Sequence, residues 1–242
     1  MKPSIKRDPT SPFLIAAVYN IHCCVGRDLP PDPRPIVAVI REMAPDLVAL
    51  HEVDSRSGKG NELNQALFIS EATGLAAVPG PTVFRPDGEY GNVILTRYPV
   101  VKKHFLDLSY RGREPRGALD LRLEVRGRKL RVVATHLGLG IRERRYQVDQ
   151  LLRHLKKEPT FPLVFMGDIN EWFPLSRTLR RLNRFLGRSP APGTFPSFLP
   201  LLALDRIWIH PGECLASIGV HKSPLARRAS DHLPLKAGIW IR

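Results

Sequence analysis

Four apolar stretches of this 242-residue chain stop at side chains able to do chemistry. Phe13–Tyr19 runs into Asn20, Leu47–Leu50 into His51 and Glu52, Leu130–Thr135 into His136, and Phe161–Met166 into Gly167, Asp168 and Asn170. Continuous apolar runs bounded by turn residues suit strands buried on both faces. A carboxylate at the end of such a strand is costly unless it is paired, hydrated or bound to a cation. Residues i and i+2 of an extended chain share a face, so Asp168 and Asn170 can point into one site. Two C-terminal fragments add Asp205, in Leu204-Asp-Arg-Ile-Trp208, and the adjacent pair Asp231 and His232, in Ser230-Asp-His-Leu-Pro234. Neighbours in an extended segment point opposite ways, and Pro234 biases Leu233 toward that geometry. One of the pair can therefore hold a cation while the other faces a scissile phosphate.

Carboxylates, histidines and amides with no cysteine cluster are a hard, oxygen-rich ligand set, suited to Mg²⁺ or Mn²⁺. Glu52 with Asp231 meets the preference of Mg²⁺ for one or two carboxylates plus water and substrate phosphate. Zinc would call for more imidazole or thiolate. The three cysteines, two of them adjacent, form neither a disulfide framework nor a zinc spacing, so a reducing cytoplasm is the expected location.

The elements that must carry these groups follow from the pattern. With 43% hydrophobic and 25% charged residues the chain is globular and long enough for one sizeable core. No apolar run approaches the roughly 20 residues that span a bilayer. Residues 1–11 read as a loose arm, and the short apolar segment after them, which runs directly into the Asn20 motif, does not read as a signal peptide. Asp32 and Pro33 start a helix over 33–43, a strand covers 46–52, and Asn61 caps a helix over 62–73 closed by Gly74. Residues 80–90 read as turns, followed by a strand at 92–96 stopped by Pro99 and another over 100–108. Alternation predicts a hairpin of 117–125 and 128–136 around Arg126-Gly127. Helical spacing predicts 141–157 and a second helix opened by Pro174 and closed by Gly187. That helix sets Leu175, Leu179, Leu182 and Leu186 against Arg177, Arg180, Arg181, Arg184 and, just past its end, Arg188. Residues 189–200 form a proline-rich loop, and strands near 204–210, 214–220 and 235–241 finish the chain. There is no internal repeat and no composition shift, so 12–242 is expected to be one domain and the protein a monomer.

The motifs Tyr19-Asn-Ile-His22, Leu50-His-Glu-Val-Asp54, Gly91-Asn-Val-Ile-Leu-Thr-Arg-Tyr-Pro99, Thr135-His-Leu137, Gly167-Asp-Ile-Asn170, Leu204-Asp-Arg-Ile207 and Ser230-Asp-His232 resemble, in order, those of the endonuclease/exonuclease/phosphatase (DNase I-like) superfamily. The resemblance covers roughly residues 12–242. It implies an α/β four-layer αββα sandwich with the site at one edge of two packed sheets, and metal-dependent cleavage of a phosphoester by water. It implies Glu52 as main metal ligand with Asn20 and Asp231 nearby. Asp168 and Asn170 would orient water and phosphate. His232 supported by Asp205 would be the catalytic pair, and His136 a second histidine, to which protonation of the leaving oxygen is assigned. Hydrogen bonding to Asp205 would fix the tautomer of His232 and favour its charged form. Arg113 and Arg116 are candidates to grip the phosphate through a planar fork. The chain departs from the family at His51, where Gln is usual, and at His22, where some branches carry a carboxylate. Trp172 is expected to pack.

A net charge of +14 predicts a polyanionic partner. Nucleic acid is the first reading of the substrate, on the charge and the arginine helix. The alternative is a phospholipid headgroup or other small phosphoester, which an apolar patch beside the site would support. A remote third reading is an inactive binding module.

Overall fold

Strands whose successive residues are both apolar have something to bury on each face, and that requirement builds this molecule outward in layers. The computed structural model describes residues 12–27, 30–55, 64–158 and 162–241. The expected arm over 1–11, the expected cap Asn61 and the strand start at Phe161 lie outside them. In chain order the elements are β1 (Phe13–Asn20), α1 (Pro33–Met43), β2 (Leu47–Asp54), α2 (Gln65–Thr73), β3 (Ala76–Arg85), β4 (Gly88–Thr96), β5 (Val100–Asp107), β6 (Gly117–Val125) and β7 (Arg128–His136). There follow α3 (Ile141–Lys157), β8 (Leu163–Asp168), α4 (Arg177–Leu186), β9 (Asp205–His210), β10 (Leu215–Val220), α5 (Ala226–Ala229) and β11 (Leu235–Trp240).

The strands form a six-stranded sheet in the order β10-β11-β1-β2-β4-β3 and a five-stranded sheet in the order β5-β6-β7-β8-β9. Leu14, Ala16 and Val18 of β1 face Leu119, Leu121 and Val132 of the second sheet in a core between the sheets. On the other face of β1, Ala17 and Tyr19 pack with Ile36, Val39 and Ile40 of α1. Phe165 of β8 packs with Leu151 of α3 and Leu182 of α4 on the outside of the second sheet. The result is the expected αββα sandwich. Each fully buried Leu, Ile or Phe contributes about 1.5–3 kcal/mol. The helices begin where the sequence supplies an acceptor: Asp32 takes the Arg34 amide at 2.9 Å and Ser176 takes Leu179 at 3.1 Å. Among the described residues no helix is long and apolar enough to cross a membrane.

Three expectations need correction. Residues 80–90 are mostly strand: β3 and β4 form a hairpin that turns at 86–87. Pro79 and Pro81 lie in β3 because it is the outermost strand of its sheet, where a missing amide leaves no central ladder broken. The second helix after 141–157 begins at Arg177 on the Ser176 cap, so Leu175 precedes it and stands exposed. Trp172 is also exposed instead of packed.

Candidate active site

Parallel pairing brings two pairs of strand ends to one edge. β1 runs parallel to β2 with Asn20 opposite His51, and β7 runs parallel to β8 with His136 opposite Asp168. β9 runs antiparallel to β8, so its first residue, Asp205, is opposite Asp168. His136, Asp168 and Asp205 thus form a row across three strands. A Cβ on Gly167 would lie 1.8 Å from the Thr135 carbonyl oxygen, so only glycine lets β7 and β8 keep this register. Ser230, whose hydroxyl donates to the Asn20 carbonyl at 2.8 Å and accepts the His232 amide at 3.2 Å, ties the segment before β11 to the same edge.

Local backbone conformation aims two of the side chains. β2 bulges against β4 between Leu50 and Val53, and Glu52 within the bulge has φ +57°; Asn170 has φ +52°. Non-glycine residues in the left-handed region cost about 1–3 kcal/mol each and persist where surroundings over-determine them. The Asn170 amide donates to Asp168 Oδ1 at 2.9 Å and its side-chain NH₂ donates to the Leu137 carbonyl at 2.8 Å, which holds that conformation.

Asn20 joins the sheets. Its Nδ2 donates to Glu52 Oε1 at 2.8 Å and to Asp168 Oδ2 at 3.1 Å. Across the site, His232 Nδ1 donates to Asp205 Oδ2 at 2.7 Å, leaving Nε2 3.8 Å from Asp168 Oδ2. Thr194, buried in the proline-rich loop, donates its hydroxyl to the same Asp205 oxygen at 2.7 Å. No sequence signal marked Thr194. Asp231 is half exposed at the outer margin, 3.8 Å from the His22 ring. Arg116 is buried and brings Nη1 to 3.3 Å from His136 Nδ1, while its Nη2 donates to Glu114 at 3.0 Å. Arg113 stands exposed in the turn after Tyr110 and joins no hydrogen bond to this cluster among the described residues.

The electrostatics divide the histidines. Burial alone would lower the His232 pKa, but the Asp205 carboxylate, with Asp168 and Asp231 behind it, pushes it up to about 10. Burial holds His136 well below its ordinary value, with Arg116, His51 and His232 adding to the effect. Two donors, Arg116 and Asn170 Nδ2 at 3.0 Å, face its ring nitrogens, a setting that a cationic ring with two N–H groups would oppose. The Asp168 carboxylate lies 3.6 Å from Nε2 of the same ring. His51 is pushed down to about 4 by burial, against its 2.8 Å hydrogen bond to Asn92 Oδ1. Asn92 Nδ2 donates to the Gly117 carbonyl, so its oxygen must face His51 Nδ1–H, and His51 Nε2 is left as a buried acceptor with no partner among the described residues. Burial raises the pKa of Asp168, with Asp205 adding to it, and burial likewise raises that of Glu52.

The chemistry of this donor set fits a divalent cation. Asn20 links the carboxylates of Glu52 and Asp168, both with raised pKa values that a bound cation would reverse, and Asp231 stands at the outer margin of the same edge. Ligand atoms of Asp168, Asp205 and His232 also lie within 4.8 Å of one another. In that trio the His232 and Asp205 atoms are bonded to each other and Asp205 is further engaged by Thr194. Of the expected ligands, Asn20 Oδ1 accepts the His22 amide at 3.0 Å and Glu52 Oε1 accepts from Asn20, which leaves Glu52 Oε2 and the Asp231 carboxylate as the oxygens open to a cation.

The family model described as the Endonuclease/Exonuclease/phosphatase family matches residues 17–232. The chain is 34% identical over 175 residues to Uncharacterized protein YbhP of Escherichia coli strain K12, an alignment covering 67% of each protein. An endonuclease/exonuclease/phosphatase from Beutenbergia cavernae superposes with TM-score 0.76 at 23% identity, over 95% of this chain and 72% of that one. The mannosyl-6-phosphatase Bt3783 of Bacteroides thetaiotaomicron does so with TM-score 0.72 at 18% identity, over 93% and 98%.

Proposed function

Because the chain belongs to the endonuclease/exonuclease/phosphatase family, we propose that it is a divalent-cation-dependent hydrolase of phosphodiesters that uses Mg²⁺ or Mn²⁺. The observation that carries this reading is the 2.7 Å Asp205–His232 pair set beside Asp168 and opposite the Asn20–Glu52 pair. Glu52 and Asp231, with Asn20 hydrogen-bonded to Glu52, would hold the cation, which when bound neutralises charge on phosphate oxygens and lowers the pKa of coordinated water.

The chain's own residues supply the rest. Asp168, buried and with a raised pKa, accepts a proton from the attacking water, and Asn170 orients it. His232, fixed by Asp205 with Nε2 toward the reacting centre, donates to the leaving oxygen, so one P–O bond forms as the other breaks and the protons balance. His136 stays neutral and accepts from Arg116 at Nδ1, and the Arg116 guanidinium faces the phosphate.

A second reading of the substrate gains from the structure. The first reading, nucleic acid, rests on the +14 charge and the arginine helix. The loops around the site carry exposed apolar side chains of the kind that a phospholipid or other amphiphilic phosphoester calls for. The test is turnover of a soluble chromogenic phosphodiester with Mg²⁺ or Mn²⁺ added after chelation. We expect turnover restored by the cation and abolished in Glu52→Gln. Cation-independent turnover, or none with either ion, would overturn the proposal.

A further inference from the structure

Three loops leave the strand ends that carry the candidate catalytic groups. One follows His136, one follows Asn170, and one precedes Asp205. Among the described residues eleven large apolar side chains are more than half exposed, and eight of them stand on these loops or at their helix starts. Leu139 and Ile141 belong to the first and Trp172, Phe173 and Leu175 to the second, where Leu175 reaches 81% exposure. Phe198, Leu199 and Leu201 belong to the third, which is tied to the site: the Ser197 amide donates to the Asp231 carbonyl at 2.6 Å, and the Phe195 ring lies 4.9 Å from His232.

Arginines are interleaved with these tips. The Arg27 guanidinium lies 5.2 Å over the Phe198 ring, and Arg227 donates to the Phe198 carbonyl at 3.0 Å. Ile141 and Phe173 share a surface cleft with Arg145 and Arg177, and α4 continues outward from Leu175 with exposed Arg180 and Arg184. Glu171, which opens the second loop and lines the same cleft, is buried and paired with Arg144 at 3.4 Å, which offsets its charge.

Apolar tips flanked by cations, with no core to bury the tips, match a surface that offers negative headgroups above acyl chains. We propose that the three loops form a docking rim for an anionic phospholipid bilayer, which presents a lipid headgroup phosphoester to the site. This rests on the proposed phosphodiesterase reading for the identity of the reaction, but the docking itself does not. Nucleic acid fits the rim less well. Phosphates would meet the arginines, yet five of the eight apolar side chains are aliphatic and cannot stack on bases as aromatic platforms do. Leucine and isoleucine gain from acyl chains, and Trp172 beside Phe173 suits the headgroup boundary.

The test uses the full chain and vesicles of phosphatidylcholine with or without a third of phosphatidylglycerol. Binding is read by flotation and by tryptophan emission. Trp208 is buried, and Trp240 packs edge-on against Phe13 at the end of β11 away from the site, so a blue shift reports Trp172. We expect wild type to bind the anionic vesicles, weakly or not at all the neutral ones, and to show the shift. Leu199→Ser/Leu201→Ser should lose at least about tenfold in vesicle affinity, as should Trp172→Ser/Phe173→Ser by flotation, with turnover of the soluble diester unchanged in both. His232→Ala should bind vesicles like wild type while inactive. Absence of binding by wild type, equal binding by both rim variants, or a preference for duplex DNA lost in those same variants would overturn the proposal. Vesicle binding without diester turnover would overturn the proposed reaction and leave the docking rim standing; turnover without vesicle binding would do the reverse.

Discussion

Two buried aspartates lie two strands apart in the same sheet, Asp120 on β6 and Asp168 on β8, and the chain treats them in opposite ways. Asp120 accepts from Arg131 Nη2 at 2.6 Å and His154 Nε2 at 2.7 Å and is also paired with Arg122. Burial alone would raise its pKa, yet these partners hold it below the ordinary carboxylate range. Asp168 accepts from neutral donors, Asn20 and the Asn170 amide, and its nearest charged partner is His232 at 3.8 Å. Burial therefore wins there and the pKa goes up. Degree of burial does not distinguish the two carboxylates; the partners do. A carboxylate saturated with cations serves the fold, whereas one left short of positive charge can accept a proton or help attract a metal ion.

That contrast can be broken most sharply at His232. His232→Ala should lower kcat by about 10²–10⁴-fold, and it should lower the thermal midpoint as well, because it leaves the buried Asp205 carboxylate without its 2.7 Å partner. Arg131→Met should lower stability alone: Asp120 keeps Arg122 and His154 but loses its 2.6 Å partner, at a cost below the roughly 3–5 kcal/mol of a fully unpaired buried charge, read by urea denaturation, while turnover per folded molecule persists.

The third comparison is of pH signatures in the cation-free protein. The folded pKa of Asp120 is depressed, so its stabilisation is present above the unfolded value and lost as pH falls through the folded one. The advantage of wild type over Asp120→Asn should therefore vanish in acid. Asp168 has the raised folded pKa, so its contribution is full below the unfolded value and lost as pH rises through the folded one. Asp168→Asn should gain on wild type toward neutrality, by about 2–4 °C in midpoint for each kcal/mol, while losing activity. An Asp168→Asn protein less stable than wild type at neutral pH without metal would remove the contrast.

The smallest effect concerns the two arginines. Arg116→Ala should lower kcat/KM roughly ten- to hundredfold, the worth of a charge-assisted hydrogen bond. Arg113→Ala, exposed in its turn, should stay within about twofold. Equal losses would mean that the turn folds onto the substrate.

Much of this was readable from residues alone wherever the signal is local. The hairpin of β6 and β7 follows from alternating leucines around Arg126-Gly127, and α3 from its apolar spacing. The convergence of Asn20, Glu52, His136, Asp168 and His232 was legible because a strand buried on both faces has few reasons to end in such groups. What depends on distant context was not legible. Whether Pro79 sits in a turn or a strand depends on which strand is outermost. Whether Trp172 and Leu175 are covered depends on what α4 packs against, and nothing reaches them. Thr194 lies in a loop whose prolines advertise irregularity and nothing more, yet it holds Asp205. The charge states of His136 and His232 arise from neighbours far apart in the chain.

The single amide of Asn20 reaches from one sheet to a carboxylate of the other. The reacting groups are therefore divided between two halves that meet through a largely apolar core, crossed by the Asn20–Asp168 and Asn92–Gly117 hydrogen bonds. A misplacement of about 1 Å can cost roughly 10²-fold in rate. Turnover is in effect a vernier on the seam of the sandwich. A substitution such as Val132→Ala, far from any ligand, would slide one scale against the other and register as lost rate well before it registers as lost fold.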